Sequence, residues 1–423
     1  SGGMVVDKLR WDTYQNEEAV YLAITDGVGN AILYDGTTWA EIDPAATGAD
    51  MANAGGDQAI EAPQLCRFFS DCLFLSNSDP DDAQAIVCRS TANEFYNFDS
   101  SGDGQQFPIG YEVFNIRPFR EQLYVFGNNA IKYMIPDVTA GFLLKSVTDD
   151  IGIVARDAVV EIGGDLVFLA PDGFRPVQGT DKIGDVQLET ISKAAQDTIN
   201  RYVQAALIGN INAVVVRTKS QFRMFFSDDS LDIEDAQGLI GCLRTSDQFT
   251  GWEFGELRGF RCSAVASRYI GTEEYVIHGD YDGNVYRQEM GNDLNGTDII
   301  SRYDTPYIDF GDTEIRKTME RITLFLKGGG DATIVMGVNY DWGDPAVSNP
   351  SNYTLTLTGA EVTYGGGSTY GGGAVYGGQL QPVVRQTIEG SCFSIRLRFI
   401  TTGSDAPFTI HGIVYEYATE GRR

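Results

Sequence analysis

Groups that move protons or hold metals are scarce in this sequence. Two histidines, His278 and His411, serve 423 residues. Both sit in strand-like alternation without a Ser, Cys or ligand-spaced partner, so both read as strand residues rather than general bases. No GxSxG, P-loop, strand-GxGxxG-helix or HExxH pattern occurs, and with them go the common signatures of acyl transfer, nucleotide binding and zinc proteolysis. The six cysteines, Cys66, Cys72, Cys88, Cys242, Cys262 and Cys392, form no CxxC pair. They read as reduced core residues, with a Cys66–Cys72 disulfide as the alternative. Basic residues are also few: 31 Lys and Arg against 59 Asp and Glu give a net charge of −28. That balance excludes a protein that grips nucleic acid by neutralising phosphates, and one that docks on anionic lipid. No run of about 18 apolar residues is present to form a membrane-spanning helix. The chain opens Ser1-Gly2-Gly3-Met4 without a basic-then-apolar leader, so folding in a reducing cytoplasm is expected, the alternative being a processed end. Helical periodicity is nearly missing. Only Glu189–Val203, through Ile191, Ala194 or Ala195, Ile199 and Val203, keeps the spacing of a short amphipathic helix.

What is present is the material of short strands and tight turns: 49 Gly, 21 Tyr and 23 Phe, with frequent Val, Ile and Thr. Strand–turn–strand units recur, anchored near Val20, Cys72, Leu123, Leu166, Val214 and Tyr275, with steps of 52, 51, 43, 48 and 61 residues. A period of about 40–50 residues is that of a four-stranded propeller blade. The expected fold is therefore all-β, a β-propeller of five to seven blades with six preferred, over residues 1–305. The long last step is attributed to an inserted acidic loop at Asp228–Asp235. Asn128-Asn129, Asp172-Gly173 and Asp282-Gly283 supply turn residues that tolerate positive φ. Tyr34–Trp39 (YDGTTW) resembles an Asp-box turn, read as a hairpin in which Asp35 bonds backbone amides and Trp39 packs between blades. Asp280–Asn284 (DYDGN) resembles the start of a calcium loop, but it lacks the flanking helices and the terminal Glu, so a plain hairpin turn is the reading.

After about Thr305 the strands lengthen, and several alternate strictly: Arg321–Leu326, Ala332–Tyr340, Tyr353–Leu357, Ser394–Phe399 and Phe408–Tyr417. An antiparallel β-sandwich is expected over residues 306–423. Residues 311–423 hold 11 acidic and 9 basic side chains, so residues 1–310 carry −26 of the total. At 363–379 a Gly/Tyr-rich segment spaces Tyr364, Tyr370 and Tyr376 six residues apart, giving either a linker or an ordered contact between subunits. No cofactor or metal site is indicated. A glycosidase would need two fixed carboxylates, and 59 acids neither exclude nor locate such a pair.

The stretch Asp150–Lys193 (DIGIVARDAVVEIGGDLVFLAPDGFRPVQGTDKIGDVQLETISK) resembles a segment of tail proteins from short-tailed bacteriophages, as does Gly279–Gln288 (GDYDGNVYRQ). They are followed in order by Tyr307–Lys317 (YIDFGDTEIRK), RITLFLKGGG and the Tyr-Gly block. The whole resembles the tail nozzle, also called the tail tubular or packaged-DNA-stabilising protein, over most of the chain. The resemblance implies a propeller with added β-domains. It also implies a homo-oligomeric ring, commonly a hexamer, below the portal and the head-to-tail adaptor, with tail fibres or spikes as neighbours. Such a protein is a virion component assembled in the host bacterial cytoplasm. It is not an enzyme and not inserted in a membrane, and it forms a conduit that retains packaged double-stranded DNA and lets it pass at ejection.

Charge supplies a mechanism for that passage. Carboxylates facing a lumen repel the duplex at close range and keep it centred, and the candidate lumen or gate loop is Asp228, Asp229, Asp232, Glu234 and Asp235. Tyr364, Tyr370 and Tyr376 are the candidate inter-subunit contacts. The alternatives are acids spread over the outer surface for solubility, a propeller glycoside hydrolase or lyase, and a receptor-binding tail module acting on host surface polysaccharide.

Overall fold

Alternating apolar and polar residues, cut by turns, fold the first 288 residues into six meandering antiparallel sheets. The computed structural model describes residues 9–16, 19–77, 85–177, 191–205, 211–226, 237–245, 250–259, 261–328, 331–357 and 383–420. The acidic stretch at 228–235 and the segment holding Tyr364, Tyr370 and Tyr376 lie outside them. Blade 1 contains β1 (Arg10–Gln15), β2 (Val20–Thr25), β3 (Ile32–Tyr34) and β4 (Trp39–Glu41). Blade 2 contains β5 (Leu65–Phe69), β6 (Cys72–Asn77), β7 (Ile86–Arg89) and β8 (Gln105–Pro108). Blade 3 contains β9 (Val113–Phe119), β10 (Gln122–Gly127), β11 (Ile131–Asp137) and β12 (Gly141–Thr148). Blade 4 has, among the described residues, three strands, β13 (Val159–Ile162), β14 (Asp165–Ala170) and β15 (Gly173–Pro176). Blade 5 contains β16 (Ile211–Val216), β17 (Gln221–Phe226), β18 (Gln237–Thr245) and β19 (Thr250–Arg258). Blade 6 again has three, β20 (Ala264–Ile270), β21 (Glu273–Gly279) and β22 (Val285–Arg287). In every sheet, neighbours in sequence are neighbours in space, which is the up-and-down order of a propeller blade.

The turns explain much of this regularity. Gly173 and Gly283 stand at φ +126° and +85°, conformations that a side chain resists and glycine adopts freely. Asn128-Asn129, by contrast, turns the chain without positive φ at either residue. Five of the six repeat anchors fall on the second strand of a blade, but Val214 falls on the first strand of blade 5. Counted on second strands throughout, the steps are 52, 50, 43, 56 and 52 residues. The long final step came from this slip of register rather than from the acidic insertion.

Successive blades are joined by buried cores. Leu33, Ile42 and Phe95 fill the space between blades 1 and 2, and Phe74, Val125 and Met134 that between blades 2 and 3. Phe126 and Phe168 lie between blades 3 and 4, and Phe174, Phe222 and Met224 between blades 4 and 5. Val216, Phe225 and Val276 lie between blades 5 and 6. Each such side chain, fully buried, stabilises by about 1.5–3 kcal/mol. The expected helix is present as α1 (Gln196–Ala205), preceded by a 3-10 turn at Lys193–Ala195. Its Ile199 and Tyr202 cap the core between blades 4 and 5.

The second unit, Glu289–Arg423, is a sandwich. Its strands are β23 (Asp293–Leu294), β24 (Thr297–Asp304), β25 (Lys317–Gly328), β26 (Ala332–Tyr340), β27 (Tyr353–Leu357), β28 (Val383–Thr387), β29 (Ser391–Cys392), β30 (Ile395–Gly403) and β31 (Phe408–Thr419). One sheet runs β23-β24-β30-β26-β27; the other joins β28, β29 and β31 to β25. Their inner faces meet in one core containing Ile322, Leu324, Ile334, Met336, Leu397 and Phe399. Thr297–Asp304, read from the sequence as part of the first domain, pairs with β30 in this sandwich. All six cysteines are free and buried.

Candidate functional site

The first strands of the blades run side by side, β1 beside β5, β5 beside β9, β13 beside β16 and β16 beside β20. The first strand is therefore the inner edge of each blade. Arginines collect there. Arg10 of β1 forms a forked ion pair with Asp157, just before blade 4, at 2.5 and 3.1 Å. Arg67 of β5 donates through Nη1 to the carbonyls of Trp11 (3.1 Å) and Cys66 (3.2 Å). Asp12 accepts from the Phe68 amide at 2.8 Å, fastening β1 to β5. Asn115 of β9 donates to the carbonyl of Arg156, and Arg156 pairs with Glu112 at 3.5 Å. Burial, with Arg10 nearby, lowers the Arg156 pKa. Arg117, also on β9, receives no acceptor from any described residue, and its Nε is buried. Burial first, then the like charges of Arg67 and Arg10, hold its pKa down at about 10.

A second feature lies at the two ends of the blade series. Among the described residues, apolar cores join blades 1 to 2, 2 to 3, 3 to 4, 4 to 5 and 5 to 6, and none joins 6 to 1. On the side of blade 1 away from blade 2, the register sets Trp11 opposite Ile24, Ile24 opposite Ile32, Leu22 opposite Tyr34 and Tyr34 opposite Trp39. Trp11 and Trp39 are 56% and 57% exposed, and the rings of Tyr34 and Trp39 stack at 4.3 Å. On the far side of blade 6 the register aligns Ala266 with Ile277 and Ile277 with Arg287. Nearby, Ile270 and Val285 are 63% and 73% exposed.

The Asp-box reading divides at this point. Asp35 does accept from the amides of Thr37 and Thr38, at 2.8 and 2.6 Å, and the Thr38 amide leads the interactions that hold its carboxyl below the usual range. Trp39, however, is not between blades; it is exposed on the face of blade 1 away from blade 2, which no sheet among the described residues covers. Asp280 accepts from the amides of Asp282 and Asn284 at 2.9 and 2.8 Å, which is the plain hairpin expected. His278 is buried in strand β21, its Nδ1 3.2 Å from Gln288 Nε2. The FGD…RK junction is structural: Lys317 is buried and donates to the carbonyls of Asp312 and Phe393. An open cleft of about 580 Å³ lies between blades 4 and 5, lined by Glu161, Gly163, Gly164, Arg217, Ser220 and Leu243 among others. Among the described residues that line it, Glu161 is the one carboxylate. The candidate gate acids Asp228, Asp229, Asp232, Glu234 and Asp235 and the candidate contacts Tyr364, Tyr370 and Tyr376 lie outside the described residues.

The axial arginines and the open blade faces were not singled out from the sequence. A signal for the arginines existed: Arg10, Arg67 and Arg117 each occupy a blade's first strand and recur with the blade period. No helix among the described residues is long and apolar enough to cross a membrane.

No family model and no curated protein matches the chain. Among solved structures, it is similar to a glycoside hydrolase family 43 arabinoxylan arabinofuranohydrolase from Bacillus subtilis, at 9% identity and a TM-score of 0.25, over 97% of this chain and 79% of that one. It is also similar to the extracellular domain of a hybrid two-component system from B. thetaiotaomicron, at 10% identity and 0.34, over 76% of this chain and 37% of that one. A further glycoside hydrolase is matched at 9% identity and 0.23, over 97% of both chains. The expectation that the protein is not an enzyme is corrected by these two hydrolases and is set aside. At TM-scores below 0.5 they assign no activity or substrate, and the propeller and sandwich are read from the chain's own sheets.

Proposed function

We propose that the protein is a tail-nozzle subunit of a short-tailed bacteriophage, whose copies stand side by side in a ring that continues the path of double-stranded DNA below the portal and adaptor. The observation that carries this reading is the blade series that ends in two exposed apolar faces. A monomer leaves Trp11, Trp39, Ile270, Ile277 and Val285 in water, whereas blade 6 of one copy against blade 1 of the next would bury them in a sixth interface of the kind already made five times. That contact joins unlike surfaces, and unlike surfaces generate rings when the rotation closes. Charge agrees: exposed Arg268 lies on the blade 6 strand that bears Ile270, and Glu41 lies beside Ile32 on the blade 1 face. The −26 of residues 1–310 suits a wall past which DNA slides without being gripped.

The test uses two variants, Trp11→Lys/Trp39→Lys and Ile270→Lys/Ile277→Lys. Each alone should sediment as a monomer, while an equimolar mixture should form a one-to-one dimer through the intact face on each partner. The unaltered protein should appear as an axial ring in electron micrographs of the particle. A wild type that stays monomeric at high concentration, or variants that still assemble alone, would refute the proposal.

A second reading is favoured by the exposed Tyr34–Trp39 stack and Trp11 on one blade face, since flat aromatic surfaces accept sugar rings. In it, the chain binds or cleaves host surface polysaccharide. Release of sugar ends from purified host glycan, or glycan binding lost in Trp39→Ala with assembly unaffected, would select it over the nozzle.

A further inference from the structure

Three polar side chains in a row bridge blades 5 and 6, beside an inter-blade core that is lean. Its buried apolar residues are Val214, Val216, Phe225, Cys262 and Val276, fewer than in each of the other four among the described residues. Alternation along β17 sets Arg223 on the face of Phe225, and along β21 it sets His278 on the face of Val276, so both enter this contact. Gln288, the last residue of the first unit, stands between them, and its backbone N–H donates to the Val276 carbonyl at 2.8 Å. Arg223, His278 and Gln288 are 5%, 7% and 7% exposed. Arg223 Nη1 donates to Gln288 Oε1 at 2.7 Å, and Gln288 Nε2 lies 3.2 Å from His278 Nδ1.

The order of donors in this row leaves the histidine one protonation state. A guanidinium only donates, so the amide atom facing Arg223 is the oxygen and the group facing His278 is the NH2. That group donates, Nδ1 accepts, and the imidazole is neutral with its proton on Nε2. A second proton would set N–H against N–H, and turning the amide over would set its NH2 against the guanidinium. Among the described residues, the charged groups around the ring are otherwise engaged. Asp280, just past β21, accepts from the turn amides, and Glu274, on the same face of β21, from those of Arg217 and Thr218. Arg287 of β22 pairs with Glu273, Arg261 with Asp282, and Glu253 of β19 with Arg244. Tyr286 of β22 stacks on the ring at 5.3 Å, and Val265 of β20 lies opposite it. Burial, opposed by Asp280, lowers the His278 pKa from its ordinary 6.5. We infer that Arg223, Gln288 and His278 form a pH-sensitive latch that holds the end of blade 6 to blade 5 while the imidazole is neutral and releases Gln288 on protonation. Because the folded pKa is the lower one, the stabilisation is complete above pH 6.5 and is lost as the pH falls through the folded value. The latch does not depend on the assembly reading, since it lies on the blade 5 side of blade 6 and the proposed contact on the other.

Nitrogen NMR of the full chain labelled at histidine is the first measurement, and His411 is the one other signal to assign. At pH 7.5 His278 should carry its proton on Nε2. Hydrogen–deuterium exchange, corrected for its intrinsic pH dependence, should show the Gln288 amide losing protection as the pH falls from 7.5 to 5. The loss should reach at most about tenfold for each unit between 6.5 and the pKa that the NMR titration gives. Gln288→Glu places a carboxylate where both Arg223 and an imidazolium can donate, so it should raise the His278 titration above 6.5 and keep residue 288 protected in acid. His278→Asn retains an acceptor but cannot titrate, so protection at Gln288 should stay level across the same range. A proton on Nδ1 at pH 7.5 would overturn the latch, as would wild-type protection that does not fall, or an equal fall in His278→Asn. Should Gln288→Glu not fold, the wild-type tautomer and His278→Asn decide the question.

Discussion

A single carboxylate fastens blade 6 to the turn that follows β16. Glu274 of β21 accepts from the amides of Arg217 and Thr218 at 2.9 and 2.8 Å and from the hydroxyls of Thr218 and Ser267, both at 2.8 Å. Burial opposes its ionisation, but these four donors outweigh it and hold its pKa at about 2 against an ordinary 4.5. Because the folded value is the lower one, the stabilisation is complete above about pH 4.5 and is lost as pH falls toward 2. Glu274→Gln should therefore lower the melting temperature at pH 7, and the gap from the wild type should shrink by pH 2.5; a gap independent of pH would contradict this account. Lys317 offers a test in the sandwich. Replacing it with Met removes the buried donor to the Asp312 and Phe393 carbonyls, a loss of about 1–3 kcal/mol in urea unfolding of the full chain. Residue-scale reading from sequence succeeded where chemistry is local, as with Asp35 and Asp280 bonding amides within four positions. It failed for Trp39, whose environment is set by which sheet, if any, lies across from it.

At the level of the element, the blade is the repeating unit, and its second strand is the most uniform part. In blades 2 to 5 that strand is buried on both faces, so it reads as an unbroken apolar run such as LVFLA or CLFLS, which is why the sequence period could be found. Blade 5 misled because its first strand, INAVVV, is as apolar as a second strand, and β13 to β16 spans the helix as well. Phe168 lies at the middle of β14, fully buried, with its ring 5.9 Å from Phe126 of blade 3. Phe168→Ala should destabilise the chain by about 3–5 kcal/mol in denaturant unfolding. A loss below 1 kcal/mol would mean that blades 3 and 4 are not held by this core.

Across the whole molecule, the described residues form two kinds of apolar core: the sandwich core draws on residues after Glu289, and the inter-blade cores on those before it. Residues 289–423 alone should accordingly give a cooperative thermal transition and a β-type circular dichroism spectrum; a fragment without a transition would show that the sandwich needs the propeller. Division into propeller and sandwich was legible because strand length and charge both change along the chain. The lack, among the described residues, of an apolar core between blades 6 and 1 was not, since whether a last sheet meets a first one depends on the small rotation at every interface, and no local pattern encodes their sum. The Arg10–Asp157 fork has a consequence for how the protein is made. Its partners are 147 residues apart, so at about 5–20 residues per second the ribosome delivers the second one roughly 7–30 s after the first. Through that interval β1 emerges without its clasp, and the nascent chain is open to chaperone capture until the start of blade 4 arrives.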